Sequence, residues 1–112
     1  MLQQFADGRI ELGPITLFHE MYRERMWTYY NRQEWESLAK AVIQGNTNID
    51  LDWYYLARSA EGLGLDKAAK IYYINALSTI HKCHRSSGYS YNDDCHGFNF
   101  PEAINARLEA LR

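Results

Sequence analysis

Residues 49–83 read IDLDWYYLARSAEGLGLDKAAKIYYINALSTIHKC, and the fold turns on this stretch. Asp50 stands where a helix N-cap is expected. Trp53, Leu56, Ala57, Ala60 and Leu63 then recur at helical spacing. Gly62 and Gly64 interrupt the pattern, and Asp66 can cap a second helix. That helix would carry Ala69, Tyr73, Ala76, Leu77 and Ile80 on one stripe. The alanines predict close approach of the two helices, with aromatic rings filling the grooves beside them.

The same residues resemble one tetratricopeptide (TPR) repeat, a helix–turn–helix unit of about 34 residues. The W-x2-L-G start of that family appears as Trp53, Leu56 and Ala57. Its turn glycine falls on Gly64, and its second-helix core on Ala69, Tyr73 and Ala76. Two positions depart from the pattern: Ala60 stands in place of a large aromatic, and His81 in place of a proline. The resemblance covers under a third of the chain. It implies a scaffold for protein binding and names no partner.

Outward from this unit, the pattern stays helical. Residues 17–44 read as an earlier, degenerate hairpin. Leu17, Met21, Tyr22, Met26 and Tyr29 lie on its first arm, a break falls at Asn31-Arg32-Gln33, and Trp35, Leu38, Ala39, Val42 and Ile43 form the second stripe. One long helix bending near Asn31 is the competing arrangement. Residues 1–16 read as an irregular lead-in with turn signals at Asp7-Gly8 and Gly13-Pro14, and with a short extended piece between them. Residues 84–98 carry loop chemistry, and residues 99–112 recover a closing helix after Asn99 and Pro101. The fold class expected is all-α: antiparallel helical hairpins, TPR-like, with a long Cys-containing loop and a C-terminal closing helix.

A chain of 112 residues supports one modest core. Its net charge of −2 and mixed signs argue against nucleic acid as a partner. No apolar run approaches the roughly 20 residues of a bilayer span. Met1 is not followed by a signal-peptide pattern, because Gln3, Gln4 and Asp7 interrupt it. Nine tyrosines favour contact surfaces, so a protein or peptide partner is expected. In the pairs Tyr29-Tyr30 and Tyr72-Tyr73, one ring of each is expected in the core and the other at a rim. No cofactor is expected.

His81, Cys83, His84, Cys95 and His96 cluster near the loop. Three states of the cysteines fit. A Cys83–Cys95 disulfide would clasp the loop for about 3 kcal/mol by the chain-entropy model, in an oxidising compartment. A zinc site could draw on His81, Cys83, Cys95 and His96, although the spacing matches no known finger. Free cytoplasmic thiols are the third. The disulfide leads. A TPR-like hairpin followed by Cys83, Cys95, Gly97, Phe100 and Pro101 also resembles small exported bacterial envelope proteins, often lipoproteins. That resemblance implies a periplasmic or cell-envelope setting, against a cytoplasmic alternative. It is compatible with a lipid anchor on a missing N-terminus, and the sequence does not tell whether an export signal or anchor was removed.

Catalytic signatures are sparse. His19-Glu20 begins like a zinc-protease helix, but Arg23 stands where the second histidine belongs. No nucleophile elbow and no phosphate loop is present, and the acidic residues fall at expected caps or on wet faces. The sequence therefore reads as a non-enzyme. Tyr54, Arg58 and Glu61 share one face of the first TPR-like helix and are the candidate partner-binding residues. The plainer alternative for each is a solvated helix face. The function expected is an adaptor or accessory protein-binding module of an envelope assembly. An inhibitor or immunity protein capping one toxin or enzyme is the alternative, and a zinc-binding protein ranks below both.

Overall fold

The computed structural model describes residues 2–14, 19–83 and 95–112. The described residues form six helices and no strand: α1 (Leu2–Ala6), α2 (His19–Asn31), α3 (Trp35–Gly45), α4 (Asp50–Gly62), α5 (Asp66–Ser78) and α6 (Glu102–Ala110). The all-α class is as expected. The expected start of the first arm at residue 17, and loop residues 84–94 with His84, lie outside the described residues.

The chain breaks at residues 32–34, between α2 and α3, one residue later than expected, so one bent helix is excluded. Gln33 turns the chain at φ 56°. From α2 onward, helices adjacent in sequence pack on one another, most extensively α4 with α5 and most sparsely α5 with α6. The alanine pattern accounts for the tight pair: Ala57, Ala60, Ala69 and Ala76 are all fully buried. With no side chain beyond Cβ, they leave room for Leu56, Tyr72 and Tyr73 in the same layer. The turn between these helices needs Gly64, whose φ of 78° suits glycine. Two stripe residues leave the core. Leu63 is exposed past the end of α4, and Ile80 is exposed because α5 stops at Ser78.

The expected caps are placed differently. Asp50 is the first helical residue and Ile49 takes the cap position, with no side-chain cap bond. Asp50 Oδ1 instead accepts the N–H groups of Leu51 (2.8 Å) and Cys83 (2.7 Å). Asp66 likewise opens α5 behind Leu65, and α6 begins at Glu102 behind Pro101 without a side-chain cap bond. The carboxylates at 50 and 66 still sit in first turns, where the helix dipole favours them.

The lead-in, expected to be irregular, contains a short helix. It opens with α1, and Phe5, Ile10 and Leu12 enter the core. Tyr72 holds it: its hydroxyl donates to the Phe5 carbonyl (2.7 Å) and accepts the Ile10 N–H (3.4 Å), while its ring stacks on Phe5. The extended piece after α1 pairs with no strand. The loop after α3 satisfies Gly13 instead: Asn46 Oδ1 accepts its N–H at 2.8 Å, and its carbonyl accepts the Asn48 N–H at 2.9 Å.

Candidate functional site

The site grows from the outward end of α4. Tyr54, Arg58 and Glu61 do share a face, and neighbouring elements cover much of it. Tyr54 is 3% exposed. Phe98 and Phe100 lie over its ring at centroid distances of 4.8 and 5.0 Å. Burial raises the Tyr54 pKa, so the hydroxyl stays neutral and acts as a hydrogen-bond partner.

Glu61 is turned toward α6. Arg107 grips it through Nε on Oε1 (3.1 Å) and through Nη2 on Oε2, and the Tyr73 hydroxyl donates to Oε1 at 2.6 Å. Burial alone would raise the Glu61 pKa, but the bonds from Arg107 and Tyr73 outweigh it and hold the carboxyl below its usual range. Burial and the neighbouring Glu61 push the Tyr73 hydroxyl the other way, well up. Glu61 thus anchors the closing helix to α4.

Arg58 is half-buried, and its Nε is buried with no hydrogen-bond partner among the described residues. Its Nη1 donates to the hydroxyls of Tyr30 (3.1 Å) and Tyr54 (3.4 Å), and its guanidinium lies over the rings of Tyr30 (5.2 Å) and Trp35 (5.6 Å). Burial disfavours its charge, but the hydroxyls around it keep its pKa raised. Among the described residues no ion pair involves Arg58. Trp27, which sits one turn before Tyr30 on α2, is 41% exposed. α2, α3 and α4 thereby present an arginine held over aromatic rings, the side-chain chemistry that dominates protein contact surfaces.

The Cys83–Cys95 pair is joined as a disulfide, with Cα atoms 5.3 Å apart. It clamps the segment carrying Phe98 and Phe100 to residues 81–83, which the Cys83 N–H bond to Asp50 and the Asp50 N–H bond to the His81 carbonyl (3.0 Å) tie to the start of α4. With both sulfurs in that bond, the set His81, Cys83, Cys95 and His96 has no thiolate to offer zinc. His96 turns its Nδ1 to the buried Tyr55 hydroxyl at 2.5 Å, and its ring meets the edge of Trp27. Among the described residues no group of three or more His, Cys, Asp or Glu side chains could hold a metal ion.

Three features escaped the sequence. Arg23 of α2 and Asp52 of α4 form a buried ion pair, Nη2 to Oδ1 at 3.4 Å, where wet or capping acids were expected. Arg23 and Asp52 lie on helices separated in sequence by α3, so no spacing rule links them. Tyr72 and Tyr73 are both buried, whereas Tyr29 and Tyr30 are both half-buried, so neither pair splits into one core and one rim ring. The third is a cleft between α5 and α6. No helix among the described residues is long and apolar enough to cross a membrane. No protein-family model, curated protein or solved structure matches this chain.

Proposed function

We propose that the chain is a non-enzymatic, TPR-like protein-binding module, an accessory or adaptor component of a bacterial envelope assembly. In this proposal the contact surface is the platform of Trp27, Tyr30, Trp35 and Arg58, and the partner places a carboxylate on Arg58. The observation that carries it is the state of Arg58: a half-buried guanidinium, pre-oriented by two tyrosine hydroxyls and two rings, its Nε without a hydrogen-bond partner and no acid bound among the described residues. A cation fixed in this way loses little conformational freedom on meeting an anionic group, which favours recognition. Support for TPR-like packing comes from the motif positions, since Trp53, Leu56, Ala57, Ala69, Tyr73 and Ala76 are all buried. The disulfide supports an oxidising compartment, and with it a periplasmic setting over the cytoplasm.

The test is photo-crosslinking from position 27 in envelope extracts, run on the native chain, on Arg58→Gln and on Lys40→Gln as a remote exposed control. One partner band that survives in the control and is lost in Arg58→Gln is expected. A band that persists unchanged in Arg58→Gln would remove the platform from consideration. A partner enzyme whose activity the bound chain abolishes would favour the inhibitor alternative.

A further inference from the structure

The geometry points to a second site, independent of the Arg58 platform: the cleft between α5 and α6 takes a small amphipathic monocarboxylate, an alkyl or aryl acid. The cleft holds about 430 Å³ and is lined by Ala76, Leu77, Phe100, Pro101 and Ile104, with the Cys83–Cys95 disulfide as one wall. That volume lies toward the small end of the roughly 300–1,000 Å³ typical of small-molecule sites, too little for a partner helix. Ala76, Ile104 and Cys95 are fully buried and make a dry floor, while Lys82 is exposed.

Charge fixes the head group. The Lys82 ammonium has three protons to donate. Two go to the carbonyls of Ala76 (3.2 Å) and Leu77 (3.0 Å), both in the cleft wall, which holds the ammonium beside the cavity. No carboxylate pairs with it among the described residues. The remaining donor can meet one carboxylate of an occupant whose apolar body lies against Leu77, Phe100 and Ile104. Asp50, the other charged residue of the wall, directs Oδ1 to the N–H groups of Leu51 and Cys83. The single remaining ammonium donor matches a single carboxylate, so the occupant is a monoacid.

The experiment is calorimetric titration of the oxidised chain with sodium octanoate below its micellar limit, with octan-1-ol as the chain-matched neutral control. Saturable one-to-one binding of octanoate is expected, with octanol weaker by roughly 3–10-fold. Lys82→Gln should weaken octanoate by a similar factor and leave octanol unchanged. Leu77→Trp, which fills the cleft, should abolish both. Because that variant could misfold, methyl resonances of Leu77 and Ile104 in the native chain provide a second readout, and they should shift along one saturating curve. Absence of saturable binding, equal affinity for acid and alcohol, or shifts confined to other residues would each overturn the site.

Discussion

Gly62 lies directly beneath the Trp35 indole: a Cβ on Gly62 would fall 2.3 Å from the ring. The two residues join the start of α3 to the end of α4, and the glycine makes that approach possible. Gly62→Ala gains up to about 1 kcal/mol of helix propensity but overpacks the ring, which costs about 1–3 kcal/mol. A net loss of about 1–2 kcal/mol is expected, seen as a lower urea midpoint. In a Trp35→Ala background the same change should become neutral or favourable. A loss that persists without the indole would show that the glycine serves the backbone alone.

The Glu61–Arg107 pair predicts a response to acid. Because the folded-state pKa of Glu61 is lowered, its contribution is fully present above the unfolded carboxyl value of about 4.3 and is lost as pH falls through the folded value. Glu61→Gln should therefore be less stable than the native chain at pH 7. The two should converge as the pH drops below 4. A gap of constant size down to pH 2 would assign the effect to packing.

Tyr72 predicts the opposite limb. Burial, the first cause, raises its pKa to about 12. A hydroxyl raised in this way contributes stability that is whole below about pH 10 and is lost as pH rises from 10 toward 12. Tyr72→Phe removes the bonds to Phe5 and Ile10 and is expected to free the lead-in first. Amide exchange of residues 5–12 should accelerate more than that of α4. Uniform acceleration along the chain would show that Tyr72 supports the whole core.

The helical hairpin at 50–78 was legible because apolar periodicity, turn glycines and small residues all point one way. Residues 2–12 were not, because Phe5, Ile10 and Leu12 are too few for a period, and what orders them is a tyrosine hydroxyl more than 60 residues away. The face of Tyr54, Arg58 and Glu61 follows from helical spacing. Its covering does not, since Phe98, Phe100 and Arg107 arrive from beyond the loop. The Arg23–Asp52 pair is tertiary in the same sense.

That pair makes its own prediction. Removing one partner of a buried ion pair deprives the other of its counter-charge, at a cost of about 3–5 kcal/mol, whereas replacing both by apolar residues can be neutral. Asp52→Leu alone should unfold much of the population near physiological temperature. Arg23→Met with Asp52→Leu should restore most of the lost stability. A double variant no better than the worse single one would show that the charges are needed for specificity of packing, as well as for each other.

The disulfide carries the last expectation. It closes a short loop, with Cys83 and Cys95 separated by 12 positions, and is worth about 3 kcal/mol in the chain-entropy model. Its structural reach is larger than the loop, because Cys83 is tied to Asp50 at the start of α4 and Cys95 leads directly to Phe98 and Phe100 over Tyr54. Reductant should therefore lower the urea midpoint and expose Tyr54 and Phe98 together, read by near-ultraviolet dichroism. The intact mass should rise by about two units on reduction. If the mass changes while the midpoint and the aromatic signal stay fixed, then α6 and the Glu61–Arg107 pair hold the closing segment without the clasp. If the mass does not change, the cysteines are free thiols and the oxidising compartment loses its support.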